Sequence, residues 1–314
     1  MRFLRRFLLV ALVVCAGVLL LYRLKDPERR VLDAATRPGA PGRFARLTDG
    51  MTHYETSGPD TGRVVVLAAG FSVPGYIWDP LFHQLGDSGY RVIRYDYYGR
   101  GWSDRVDAAY DQDLFVRQLA GLLHSMSITQ PVTLAGLSYG GAIVTSFADR
   151  YPDRVRSLIY VDPGFNNRRP LPRRERTRHA WNFHMVFRGG TDAMAQGQLS
   201  DFLHPELHAD WPDEYRVQQQ FKGTREALRR TRVAIAGAPD QQEQVRKVGT
   251  HERPVLIVWG RQDPVVPFSG SARLLAAMPA ARLVAVDSAA HLPHIEQPGI
   301  VMPAVLQFLR EQAR

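Results

Sequence analysis

Cysteine is nearly absent from this chain. Cys15 is the only one in 314 residues, which excludes a disulfide framework, a Cys-ligated zinc site and a cysteine nucleophile anywhere beyond it. A folded part without cysteine fits an oxidising compartment without requiring one. Lysine is almost as scarce, present only at 25, 222 and 247, so the net charge of +9 rests on arginine. A positive field favours anionic surfaces. No zinc finger, aromatic-rich RNA motif or basic recognition helix accompanies it, so nucleic acid is not an expected partner. The composition, 45% hydrophobic and 23% charged, excludes a wholly disordered, collagen-like or coiled-coil chain. No internal repeat is visible. His204-Pro205-Glu206-Leu207-His208 places two histidines four apart, but it is not H-E-x-x-H and a proline interrupts it; no metal is expected.

Long apolar runs are also few, and the one exception is N-terminal. Arg2, Arg5 and Arg6 precede the uncharged run Phe7–Tyr22, and Arg23 and Lys25 close it. As a helix this run would be about 24 Å long, somewhat short of a hydrocarbon core of about 30 Å. Residues 1–25 are expected to be a signal anchor or a signal peptide. Lipidation at Cys15 is a third fate, although Leu12-Val13-Val14 puts a branched residue where a small one is wanted. An uncleaved anchor would hold the chain at a membrane, with the folded part outside the cytoplasm; cleavage would release it. Residues 26–42, charged and then rich in Ala, Pro and Gly, lack apolar periodicity and are expected to be a linker.

From there short apolar runs alternate with helical patterns. Strands are expected at Phe44–Leu47, Thr52–Glu55, Arg63–Ala68, Arg91–Tyr95, Val132–Gly136, Ser157–Val161, Val255–Trp259 and Arg282–Val286. Unbroken runs such as VVVLAA and VLIVW are what strands buried on both faces look like. Helices are expected at Tyr76–Leu85, Leu114–Met126, Tyr139–Arg150, Ser269–Ala277 and Val301–Gln312. This alternation predicts an α/β fold, a mostly parallel eight-stranded sheet flanked by helices. Residues 43–165 and 246–314 would form the core. Residues 166–245 carry no strand signal and would be a helical cap, where Trp181, Phe183, Met185, Phe187 and Trp211 either line an acyl pocket or pack as core.

The strongest local signal is Gly136-Leu137-Ser138-Tyr139-Gly140, lying between a strand and a helix. That is the context in which G-x-S-x-G forms a nucleophile elbow, a strained turn that lifts the serine hydroxyl above the sheet. A serine hydroxyl is a weak nucleophile and needs a base oriented by a third group. Two strand ends supply candidates. Val255–Trp259 runs into Gly260-Arg261-Gln262-Asp263, and Arg282–Val286 into Asp287-Ser288-Ala289-Ala290-His291. Both side chains would then stand on the rim where open sheets bind ligands. The chain order Ser138, Asp263, His291 is that of a hydrolase triad.

At these residues the chain resembles the α/β-hydrolase fold family, over roughly residues 43–314. Asp96-Tyr97-Tyr98-Gly99-Arg100-Gly101-Trp102-Ser103 is similar to the family's D-x-x-G-x-G-x-S segment, and its G-x-G is a poor nucleotide fingerprint, so no cofactor is expected. The strand and loop through Phe71 resemble those that build the oxyanion hole, with Ala69-Gly70 where the family has His-Gly. The resemblance implies that the backbone N–H groups of Phe71 and Tyr139 would hold the oxyanion. His291 through Pro298 resembles the family's H-x-x-x-x-E-x-P ending, which implies His291 as the base rather than His294. For the acid it implies Asp263, with Asp162 as the rival, because some hydrolases carry the acid there. The implied activity is that of a serine carboxylesterase acting on a small or lipophilic ester. The alternatives are C–C bond, lactone or amide hydrolysis, peroxyacid formation, or a low-turnover receptor.

Overall fold

The computed structural model describes residues 2–24, 26–166, 169–189 and 193–312, and within these the side chains of all but residues 2, 4, 21, 22 and 183–189. Eight strands form one sheet in the order β1-β2-β4-β3-β5-β6-β7-β8. They are β1 (Arg43–Arg46), β2 (Met51–Ser57), β3 (Val64–Ala68), β4 (Arg91–Tyr95), β5 (Val132–Leu137), β6 (Val155–Val161), β7 (Val255–Gly260) and β8 (Arg282–Val286). The β1–β2 and β2–β4 pairs are antiparallel and all others are parallel.

Every residue of β3, β5 and β7 is buried. The reason lies in the pleat, which sends successive side chains to opposite faces. Val64 and Val66 meet one helical layer through Leu119 and Ile143, while Val65 and Leu67 meet the other through Leu81 and Val305. The helices of the first half are α1 (Arg2–Leu24), α2 (Asp79–Asp87), α3 (Gln112–Ser125) and α4 (Tyr139–Arg150). The helix expected over Tyr76–Leu85 is divided. A 3-10 turn covers Gly75–Trp78, and α2 starts afresh with Pro80 in its first turn, where the missing N–H costs nothing.

Between β6 and β7 the described chain holds helices and no strand: α5 (Arg173–Gly189), α6 (Ala193–Gly197), α7 (Trp211–Gln219), α8 (Thr224–Gly237) and α9 (Gln242–Gly249). Val245 and Val248 of α9 pack into the core rather than the cap. The chain ends in α10 (Gly270–Ala277), α11 (Pro293–Glu296) and α12 (Pro298–Glu311).

Residues 26–30, at the start of the expected linker, dock on the cap. Glu28 accepts the N–H groups of Gly223 and Arg225 at the start of α8, at 3.0 and 2.6 Å. Asp26 pairs with the Arg225 guanidinium at 3.0 Å, and Arg30 exchanges main-chain bonds with Gln220 and Lys222. These contacts are ionic or main-chain, so hydrophobic periodicity carried no sign of them. In α1 the side chains of Phe7, Leu8, Leu9, Val10, Leu12 and Val13 are exposed. Among the described residues no helix is long and apolar enough to cross a membrane.

Candidate active site

Six mutually parallel strands, β3 to β8, end on one edge of the sheet, and the candidate residues sit in the loops that leave it. Ser138 joins β5 to α4 with φ 52° and ψ −122°, a conformation costly for a residue with a Cβ. The residues two places before and two places after it must be glycine. A Cβ on Gly136 would lie 2.5 Å from the Gly140 carbonyl oxygen, and one on Gly140 would lie 2.4 Å from that of Ala68. The turn is held by the Ser138 carbonyl, which accepts from Gly141 N–H at 2.9 Å and Gly164 N–H at 2.8 Å.

Asp263 follows β7 and His291 follows β8. The structure joins them: His291 Nδ1 lies 2.8 Å from Asp263 Oδ2, and both side chains are buried. The other carboxylate oxygen accepts the N–H groups of Val265 and Val266 at 2.7 and 2.9 Å, which fixes its orientation. With Nδ1–H donated to Asp263, Nε2 is left as the basic nitrogen. No hydrogen bond links Ser138 Oγ to His291 among the described residues. Such bonds commonly tighten only once substrate is bound.

Asp162, the rival acid, follows β6 with φ 43°. Its Oδ1 accepts Gly260 N–H at 2.9 Å, and its buried Oδ2 takes no hydrogen bond. Burial, and then the charge of Asp263, push its carboxyl well above the usual range, which disfavours the ionised form. It stands beside the pair without bonding the histidine. Candidate ligand atoms of Asp162, Asp263 and His291 lie within 4.8 Å of one another. His291 Nδ1 and Asp263 Oδ2 are already committed to each other, so this group does not fit a metal site as it stands.

His294 has a different role. Its Nε2 donates to the Ile77 carbonyl at 2.8 Å, and its ring packs on Trp78 with centroids 4.9 Å apart. Burial lowers its pKa to about 4, so the buried ring is neutral. Its unfolded value is near 6.5, so the stability tied to this neutral ring is complete above pH 6.5 and is lost as pH falls through 4. Exchanging it for Gln, which still donates but does not titrate, is expected to remove of order 3 kcal/mol of that acid loss. Denaturant unfolding at pH 7 and pH 4 measures this, with kcat expected to change less than about threefold. An unaltered pH dependence would count against the role.

Phe71 follows β3, and Gly70 brings that loop to Ser138: a Cβ on Gly70 would sit 3.6 Å from Ser138 Cβ. Tyr139, the residue after the nucleophile, opens α4. What holds the Phe71 loop was not visible in the sequence. Arg100 is fully buried and donates to the Phe71 carbonyl from Nε at 3.0 Å and Nη2 at 2.7 Å. Nη2 also reaches Thr231 of α8 at 3.0 Å. Burial lowers this guanidinium to about 10. The clamp supplies support at a loop whose usual histidine is Ala69. A lone arginine inside a Gly-x-Gly pattern carries no signal of such a partner.

Of the aromatic cap residues, Trp211 packs on Phe202 and Tyr76, both at 5.3 Å between centroids, and Trp181 is exposed. The side chains of Phe183, Met185 and Phe187 lie outside the described residues. An apolar cavity of about 370 Å³ is lined by Phe165, Val245, Trp259, Val266 and Leu274, and neither Ser138 nor His291 lines it.

A sequence model of the alpha/beta hydrolase family matches residues 65–304. The chain is 28% identical over 275 residues to 2-hydroxy-6-oxononadienedioate/2-hydroxy-6-oxononatrienedioate hydrolase of Burkholderia vietnamiensis, covering 84% of this chain and 92% of that protein. Among solved structures it is similar to a thermophilic esterase from Thermogutta terrifontis, with TM-score 0.74 and 25% identity, covering 87% of this chain and 99% of the other. Its likeness to the enol-lactonase from Burkholderia xenovorans LB400 concerns the fold alone: TM-score 0.71, 22% identity, 85% of this chain and all of the other.

Proposed function

The chain belongs to the alpha/beta hydrolase family, and from that premise we propose that it cleaves carboxylic esters through an acyl-enzyme on Ser138. The observation that carries this reading is the buried His291–Asp263 pair, 2.8 Å apart on the rim that also bears the strained Ser138. Ser138 Oγ attacks the ester carbonyl while His291 Nε2 takes its proton. The Phe71 and Tyr139 N–H groups hold the tetrahedral oxyanion. Asp263 keeps the imidazole in the right tautomer and stabilises the imidazolium. Collapse expels the alcohol, protonated by His291. A water that loses its proton to His291 then attacks the acyl group and frees the acid and Ser138. Likeness to an esterase supports the ester.

A second reading keeps the same triad and changes the bond cleaved. The relative named as a hydrolase of 2-hydroxy-6-oxo dienedioates favours it. One experiment separates them. A fluorophosphonate should label Ser138, located by peptide mass spectrometry, and a series of p-nitrophenyl esters should turn over faster than a lactone or a 2-hydroxy-6-oxo dienedioate. Labelling with the order of turnover reversed would select the second reading. Absence of labelling would sink the acyl-enzyme.

A further inference from the structure

The cap touches the catalytic histidine through its backbone. The cap's 3-10 turn Gln198–Asp201 ends where the Asp201 carbonyl accepts His291 N–H at 2.9 Å. Two residues on, Leu203 N–H donates to Glu296 Oε1 at 2.6 Å. The other oxygen of the same carboxylate accepts Ala290 N–H, from the residue before His291, at 2.7 Å. Glu296 therefore bridges the cap segment to the histidine loop, with one oxygen for each. Between these ends Phe202 is buried, in contact with Trp211 of α7. The side chain of Asp201 also faces the triad: burial raises its carboxyl to about 6, with His291 and Asp263 both acting on it. On its far side the histidine loop is tied to the Asp263 loop, since Gln262 N–H donates to the Ala289 carbonyl at 3.0 Å.

We propose that Glu296 is a positioning residue, whose carboxylate makes the placement of the His291 base depend on how the cap is seated. The inference rests on the reading of Ser138, Asp263 and His291 as the triad. A carboxylate suits this place because both facing groups are N–H donors, and it can accept from both at once. Glutamine has one acceptor oxygen, so its amide NH2 would oppose one of the two N–H groups. His291 would then lose one of the ties that fix its ring beside Ser138. Small misplacements of a base are costly in rate and cost binding little.

The test compares Glu296→Gln with the unsubstituted full chain, using p-nitrophenyl acetate and a fluorophosphonate. Glu296→Gln is expected to lower kcat and the rate of Ser138 phosphonylation together, by about 10- to 100-fold, with KM changed less than about threefold. Combined with Phe202→Ala, which loosens the cap end of the same link, its effect on kcat should be less than multiplicative. Wild-type kcat in folded Glu296→Gln overturns the proposal, as does a lowered Tm with kcat intact below it. Multiplicative effects in the double variant overturn it too. Should Glu296→Gln fail to fold, amide exchange in the unsubstituted chain decides: Leu203, Ala290 and His291 should open at one common rate, and independent rates overturn the link. Hydrolysis surviving in Ser138→Ala would instead overturn the triad reading, a separate result.

Discussion

Ser138→Ala is expected to lower kcat/KM for an ester by about 10⁴- to 10⁶-fold, and His291→Ala by a comparable factor. The two act as one unit, because the hydroxyl is nucleophilic only as its proton leaves for Nε2. The double variant should therefore be little worse than either alone. Independent contributions would multiply instead. Whatever hydrolysis survives would come from the Phe71 and Tyr139 N–H groups and from binding, which neither substitution touches. Steady-state kinetics on the three variants, with circular dichroism to establish folding, gives the answer. An active His291→Ala alongside an inactive His294→Ala would move the base to His294. The structure argues against that exchange, since His294 Nε2 is held by the Ile77 carbonyl inside the core.

The second large effect separates two buried carboxyls. Asp263→Asn is expected to lower kcat by about 10⁴-fold with the fold intact, because a neutral amide neither stabilises the imidazolium nor enforces the tautomer with Nε2 bare. Asp162→Asn should change kcat less than about threefold. Its carboxyl already disfavours the charged form, and asparagine keeps an oxygen for Gly260 N–H. The two substitutions are chemically identical and lie on neighbouring strand ends, so general damage to the rim would affect them alike. Equal losses in kcat would refute Asp263 as the single acid. A loss confined to Asp162→Asn would transfer the role to Asp162.

Much of the core is legible in the sequence, and the reason is local. A strand buried on both faces must be apolar at consecutive positions, so VVVLA and VLIVWG announce themselves. The exceptions are equally physical. The helix expected across Tyr76–Leu85 divides at Asp79-Pro80, and the stretch at 26–30 docks on the cap through charges and main-chain bonds, which no hydrophobic pattern records.

By itself the sequence determined whatever short-range sterics and burial dictate. It set the eight strands, the helical insertion, and a serine at a turn that only glycine neighbours allow, since Cβ atoms at Gly136 and Gly140 would strike backbone. Tertiary structure alone decided which groups meet. Asp263 and His291 stand 28 residues apart, Arg100 and Phe71 stand 29 apart, and Leu203 and Glu296 stand 93 apart. His291 and His294, and Asp162 and Asp263, look alike as letters. The two histidines are told apart by the partner the packed chain sets at 2.8 Å, a carboxylate for His291 and the Ile77 carbonyl for His294. A hydrogen bond depends on position and direction to within tenths of an ångström, and for residues so far apart in the chain those are properties of the assembled sheet rather than of any segment.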